Sequence, residues 1–306
     1  MINKDNYKIA AVVVTYNRLE LLKECVESIR NQTRKLDEII VINNSSSDGT
    51  LGWLNEQTDL TVITQENSGS AGGQYTGIKT AYEKGYDWIW SLDCDVIVDK
   101  YALEELINTD EFSFDMIGFL TSTIYYKDNG LAYSNIPELG NPYNLLTSIS
   151  NHKPIPIISA SFGSLLFPRK VITEVGYPTK DFFIWGDDAE FTLRIISSNF
   201  KGFIVIKSKA YHFNDVNNPT PYLNIKVEDK RFIYGVRNMV YIALLRNRIT
   251  HNSTLRGYFS GLGFVMKIYS QREINNSESR LKLFLKLIIL YIKGVTFRPT
   301  ILYPKR

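Results

Sequence analysis

Four short apolar runs frame this chain. Residues 8–15 (KIAAVVVT), 38–42, 60–64 and 87–92 each break off into a polar loop that leads into helical spacing. A run that is apolar at nearly every position suits a strand buried on both faces of a parallel sheet. Strands alternating with helices imply an α/β doubly wound sheet with right-handed crossovers. The first helix is expected from Leu21, Leu22, Cys25, Val26 and Ile29, with Asn17 able to cap it and Cys25 in the core. A short helix should run through Trp53, a longer one from the 67–73 loop to about Lys84, and another should start at Asp99. Ligands of such sheets lie outside the carboxyl ends of the strands. The loops 15–18, 43–48, 67–73 and 93–95 therefore belong on one rim.

The fourth run ends in Asp93-Cys94-Asp95. Side chains two apart in an extended chain point the same way, so both carboxylates can face one point past the strand. Hard cations take such oxygens, and Mg²⁺ is commonly held by one or two carboxylates plus substrate phosphates. The plainer reading is a strand end and a cap for the next helix. The glycine-rich 67–73 loop (NSGSAGG) at a helix start suits phosphate oxygens. A tight turn with close packing explains Gly69, Gly72 and Gly73 as well. The dinucleotide fingerprint is absent, because the first strand is followed by Thr15-Tyr16-Asn17-Arg18, and no Gly-Lys-Ser/Thr of a P-loop occurs.

In the back half, 115–120 is strand-like. The 125–156 stretch is rich in Asn, Pro and Tyr and reads as an irregular loop that shapes an acceptor site. A strand over 159–167 precedes a short helix from Pro168 to Gly176. The run FFIWGDDAE (182–190) opens a helix through Ser198, and Asp187, Asp188 and Glu190 in its first turn suit the helix dipole. The aromatic residues before them form a candidate wall for a sugar ring. A last short strand, 203–207, precedes His212, either a metal ligand or a satisfied buried histidine.

A chain of 306 residues with 44% apolar and 22% charged side chains can bury a large core, as one big domain with an appendage or as two domains. Two cysteines make neither a disulfide framework nor a zinc set and fit a reducing cytoplasm. The polar start predicts no secretory signal, and no unbroken apolar stretch is long enough for a transmembrane helix. Charge divides unevenly: 16 Lys/Arg against 4 Asp/Glu from residue 226 on, and 19 against 28 before it. In that tail, 226–248 has helical spacing, with Phe232, Val236, Val240, Ala243 and Leu244 on one side. Over 281–293 the residues Lys282, Lys286 and Lys293 share one face and the remainder is apolar. That segment suits a helix lying on an anionic membrane surface, or else a core or dimer-forming helix. Basic residues interleaved with a broad apolar face argue against nucleic acid.

Together, VVVTYNR (12–18), NSSSDGT (44–50), NSGSAGG (67–73), DWIWSLDCD (87–95), FFIWGDDAEFTLRI (182–195) and the histidine after the last strand resemble family 2 glycosyltransferases of the GT-A fold. The likeness covers roughly 8–215, and the WGDDAE form resembles the galactofuranosyl- and rhamnosyltransferase-like branch. The resemblance implies a Rossmann-like mixed sheet over 1–225 with a basic helical extension over 226–306. It implies an inverting transfer from a nucleotide-diphosphate sugar to a glycan or lipid-linked acceptor, with Mn²⁺ or Mg²⁺. Thr15, Tyr16, Asn17, Arg18 and Asn43 would lie on the nucleotide, with a uracil base first in line. Asn67, Gly72 and Asp93 would lie near ribose and diphosphate. Asp93, Asp95 and His212 would hold the metal, Asp188 would be the base, and Trp185 and Asp187 would meet the acceptor. Tyr234-Gly-Val-Arg237-Asn238 resembles a segment common after the family's core, without an assigned role.

Two departures weaken the detail. Similar enzymes often carry Asp at the Asn43 position and Asp at the Cys94 position. Galactofuranose from a UDP donor is the first expectation and dTDP-rhamnose the second. A sugar nucleotidyltransferase and a non-catalytic sugar-nucleotide or glycan-binding module are the rivals. The first would want a Gly-rich, Lys- or Arg-bearing loop after the first strand.

Overall fold

The structure, a computed structural model, describes residues 6–151, 153–214, 216–218, 225–272 and 279–305. The four apolar runs become β1 (Ile9–Thr15), β2 (Glu38–Asn43), β3 (Leu60–Thr64) and β4 (Trp88–Asp93), all mutually parallel in the order β3-β2-β1-β4. Their side chains alternate between two cores. Ile9, Ala11 and Val13 pack on Leu22, Cys25, Val26 and Ile29 of α1 (Leu19–Arg30). Ala10, Val12 and Val14 pack on Ile78 and Ala81 of α3 (Gly69–Glu83). Full burial of one such aliphatic side chain is worth about 1.5–3 kcal/mol, so both layers hold β1 at the centre.

Beyond β4 the sheet becomes mixed. β9 (Leu165–Pro168) runs antiparallel to both β4 and β6 (Ile117–Tyr126). β6 is parallel to β10 (Lys201–His212), whose other edge carries β8 (Ile155–Ser159) and then β7 (Glu138–Leu139), each antiparallel to the strand before it. β5 (Val96–Val98) pairs antiparallel with the end of β10, and its three apolar residues are too short a run to announce a strand.

Several expectations need correction. Asn17 does not cap α1. Asp48 does so from the next loop, where its Oδ2 accepts the Leu19 N–H at 2.9 Å. Asp99 does not start a helix; it lies between β5 and α4 (Ala102–Ile107), and its Oδ1 accepts the Tyr101 N–H at 2.9 Å. The 159–167 run is no single strand, because a 3₁₀ turn at Phe162–Ser164 separates β8 from β9. The 125–156 loop holds a 3₁₀ turn (Tyr133–Asn135), β7 and the helix α5 (Pro142–Ser150), capped by Asn141. The last strand is twelve residues long, carries a bulge after Val205, and ends at His212 itself.

The remaining helices are α2 (Thr50–Asn55), α6 (Arg169–Val175), α7 (Asp187–Ser197), α8 (Lys230–His251), α9 (Thr254–Gln271) and α10 (Arg280–Thr296). The last three pack around Phe232, Val236, Val240, Val265, Ile268, Leu283, Leu287 and Leu290. The helical tail also shares a core with the sheet domain: Ile242 and Leu245 of α8 join Ala71, Phe182 and Leu193. Lys286, expected on one face with Lys282 and Lys293, is half-buried and donates to the Val227 carbonyl at 2.6 Å. Among the described residues no helix is long and apolar enough to cross a membrane.

Candidate active site

The turn after β4 leads into β5, which lies against the end of β10 and so brings the expected metal residues together. Phe213 N–H donates to the Asp95 carbonyl at 2.8 Å and pins the end of β10 to the turn after β4. The His212 Nε2 then lies 3.3 Å from Asp95 Oδ1, and Arg18 Nη1 lies 3.9 Å from Asp95 Oδ2. Burial would raise the Asp95 carboxyl, but the His212 hydrogen bond and charge, with Arg18, hold it below the usual range. Asp93 is pushed up to about 7 by burial and the Asp95 charge, and the His212 charge offsets only part of this. His212 moves the other way from what burial alone would do, because Asp95 and Asp93 favour its charged form.

The acids of α7 meet this corner. The charge of Asp188 raises Asp93, and that of Asp93 raises Asp187, so the acids at the end of β4 and those in the first turn of α7 lie near enough to feel one another. Asp188 is half-buried and pushed up to about 6 by burial, against the N–H groups of Ala189 (2.7 Å to Oδ1) and Phe162. Asp187 is buried at 4% exposure and well above the usual range, through burial and the neighbouring Asp188 charge. Trp185 is half-buried just before them.

The rim holds the donor candidates, with different freedom. Tyr16 is exposed, whereas Thr15 is buried beside the Cys94 thiol. Asn17 adopts φ 52°, and its Oδ1 accepts the Ser47 N–H at 2.7 Å, tying the first rim loop to the second. Asn43 is fully buried, with Oδ1 accepting from the Ser46 N–H at 3.0 Å and Nδ2 pointing at Thr64 Oγ1. Its present contacts organise the 43–48 loop. Asn67 is exposed and caps the start of α3 through the Gly69 N–H at 2.9 Å. Gly72 is explained by packing, since a Cβ there would collide with the Ser68 side chain.

Two residues had no assigned role in the sequence. Asn135, in the former irregular loop, is buried, and its Oδ1 faces His212 Nδ1 at 2.7 Å while its Nδ2 donates to Ser161 Oγ at 2.8 Å. With Oδ1 accepting, Nδ1 keeps its proton in either charge state; Nε2 carries one toward Asp95 in the charged form and would give it up to meet a cation. Asn238 of α8 is fully buried against the 182–185 backbone. Asn135, 77 residues from its partner, carries no periodic signal and only the fold reveals it, whereas Asn238 stood in the Tyr234–Asn238 segment noted for its resemblance but given no role.

Two carboxylates and one imidazole are a donor set for a divalent cation, and the incompletely compensated burial of Asp93 favours one. Among the described residues no three His, Cys, Asp or Glu side chains already close around one point. An ion there would need oxygens from a ligand as well, as Mg²⁺ sites that use substrate phosphates do.

Comparisons with known proteins bear on the family and the fold. The galactofuranosyltransferase GlfT1 of Mycolicibacterium smegmatis is 26% identical over 251 residues, 76% of this chain and 82% of that protein. The poly-beta-1,6-N-acetyl-D-glucosamine synthase of Staphylococcus aureus is 29% identical over 190 residues, 58% of this chain and 43% of that protein. A crystal structure of GalNAc-T7 with UDP, GalNAc and Mn²⁺ superposes with a TM-score of 0.62 at 14% identity, over 93% of this chain and 54% of that one. That likeness concerns the fold, which is GT-A. The chain spans about half of that structure's length and less than half of the synthase's. The family model described as glycosyl transferase family 2 matches residues 10–176, and on that match across more than half of its length the chain belongs to glycosyl transferase family 2.

Proposed function

We propose that the protein transfers a sugar, with inversion, from a nucleotide-diphosphate donor to a glycan or lipid-linked acceptor in cell-surface polysaccharide synthesis. UDP-galactofuranose is the first donor candidate, a choice supported by the likeness to GlfT1. The observation that carries the reading is the Asp95–His212 pair at the end of β10, beside Asp93, whose carboxyl feels the Asp188 charge. Asp95 and His212, with Asp93 beside them, would hold Mn²⁺ or Mg²⁺. A cation bound there would offset the charge of a diphosphate leaving group. Asp188 takes the proton of an acceptor hydroxyl, whose oxygen attacks the anomeric carbon opposite the leaving diphosphate. One such displacement inverts the centre, and one base suffices. Arg18, beside Asp95, adds a positive charge on the diphosphate side. Tyr16 offers an exposed ring for the base, and Trp185 and Asp187 line the acceptor side.

The test is a thermal-shift and turnover screen of nucleotide sugars, including UDP-galactofuranose and dTDP-rhamnose, with and without Mn²⁺. Metal-dependent stabilisation followed by nucleoside diphosphate release supports transfer. Pyrophosphate release would point to a nucleotidyltransferase, and binding without any turnover to a recognition module.

We also infer that the protein works on the inner face of the cell membrane, with α9 and α10 on the lipid. α10 carries two apolar faces. Leu283, Leu287 and Leu290 are buried, whereas Leu281, Leu285, Ile289 and Ile292 are exposed on the opposite side. On α9, Leu255, Phe259 and Met266 are likewise exposed opposite Gly257, Gly261 and Val265. Residues 251–272 and 279–305 hold nine Lys/Arg and no Asp/Glu. A second copy would oppose like charges there, whereas an anionic lipid surface matches them.

A further inference from the structure

The loop that leads into the catalytic acids is bent in a way its residues resist. Phe183 has φ 63° and ψ −58°, and the Ile184 N–H donates to the Phe182 carbonyl at 2.8 Å. That is a γ-turn of the rare, strained hand. Trp185 follows at φ 61° and Gly186 at φ 90°, and Asp187 then begins α7. Bulky residues at positive φ persist only when their surroundings hold them there.

The surroundings are identifiable on both sides. From the α3 side, Ala71 N–H donates to the Phe183 carbonyl at 3.2 Å, and Gly69 leaves that carbonyl its space. From the α8 side, Asn238 Nδ2 lies 3.0, 2.8 and 2.9 Å from the carbonyls of Phe182, Ile184 and Trp185. Its two hydrogens thus serve three carbonyls that a relaxed loop would turn elsewhere. Arg237 fixes which way the amide points, because its Nε and Nη2 donate to Asn238 Oδ1 at 2.9 and 2.7 Å, and Nη2 also reaches the Asp181 carbonyl at 2.8 Å. The Arg237 guanidinium in turn lies 3.9 Å from the centre of the Phe297 ring, just beyond α10.

We propose that Asn238, aligned by Arg237, is a positioning residue that holds the 182–186 loop in its strained form and so presents Asp188 to the cleft. It gives the helical tail a part in the reaction. The proposal rests on the reading of Asp188 as the base, and its test separates the two. Asn238→Asp keeps the volume and offers Arg237 a carboxylate, but turns an acceptor toward three carbonyls. A residue that merely fills space would tolerate it. A clamp would not.

Three readouts apply to the variant: hydrogen exchange of the 183–188 amides, affinity for UDP with Mn²⁺, and UDP release from UDP-galactofuranose. The expected result is loop exchange faster by about tenfold or more while the amides of β1 and β4 keep their protection. UDP affinity should stay within about threefold, with UDP release down by about tenfold or more, because misplacement of the base acts on turnover and not on donor binding. Unchanged loop exchange, or turnover and UDP affinity falling in parallel, overturns the proposal. Should Asn238→Asp fail to fold, Arg237→Gln, which releases the amide from its orientation, must give the same pattern in milder form. If the wild type itself releases no UDP, the proposed function fails, while the exchange comparison still decides the clamp.

Discussion

Replacing Gly69 with alanine tests how tightly the donor-side helix and the catalytic loop are fitted together. Gly69 has φ +75°, and a Cβ built on it would fall on the Phe183 carbonyl oxygen and lie 2.6 Å from that carbonyl's carbon. Two costs therefore add. The left-handed backbone costs alanine about 1 kcal/mol or a little more than glycine. The collision is with backbone that Asn238 and Ala71 hold, so it cannot be relieved by a rotamer change, and overpacking of this kind costs about 1–3 kcal/mol. Gly85 separates the two, since it has φ +87° and nothing within 4 Å of its would-be Cβ. Urea unfolding should thus show Gly85→Ala destabilised by about 1 kcal/mol and Gly69→Ala by about 2–4 kcal/mol. Gly69→Ala should also lose turnover, whereas Gly85→Ala should not. Equal destabilisation of the two variants would refute the close fit of α3 to the 182–186 loop.

Three further outcomes are expected. Asn135→Ala should weaken Mn²⁺ affinity by about 10–100-fold, measured by titration calorimetry, because His212 loses the partner that fixes its tautomer; unchanged affinity would remove Asn135 from the metal site. The Asp188 carboxyl is pushed up to about 6, so turnover should rise with pH through about 6, and an acid limb near 4 would contradict the buried base. The same shift gives a sign for stability. A raised carboxyl favours the folded state below about 4, its unfolded value, and that contribution is lost as pH rises through about 6. Vesicles containing phosphatidylglycerol should float the wild type at low salt and not Leu285→Asp/Ile289→Asp; equal flotation would exclude the outer face of α10 as the lipid contact.

What the sequence made legible follows from local physics. β1 to β4 and the rim loops could be read because strands buried on both faces need unbroken apolar runs, and the loops between them are polar. Asp93, Asp95, Asp188 and His212 stood out as charged or titratable groups at the ends of apolar segments. β5 escaped because three residues carry no period, and β8 and β9 merged because Ala160 and Phe162, which lie between them, are apolar and buried like the strands. Asn17 had the right residue type for a cap, but Asp48 reaches the same N–H from a loop that folding brings across. Asn135 and Asn238 act through single hydrogen-bond partners far away in sequence, a relation that composition and periodicity do not encode. The 281–293 pattern showed one broad apolar surface, and packing on α8 divided it into a buried face and an exposed one.

The central claim is that Asp188 removes the acceptor's proton in a cleft whose donor side is built separately around Asp95. Asp188→Asn measures this directly, by UDP–Mn²⁺ affinity and sugar transfer on the same preparation. The account predicts near-normal UDP–Mn²⁺ affinity with transfer reduced by about 10²–10⁴-fold. Transfer close to the wild-type rate would contradict it.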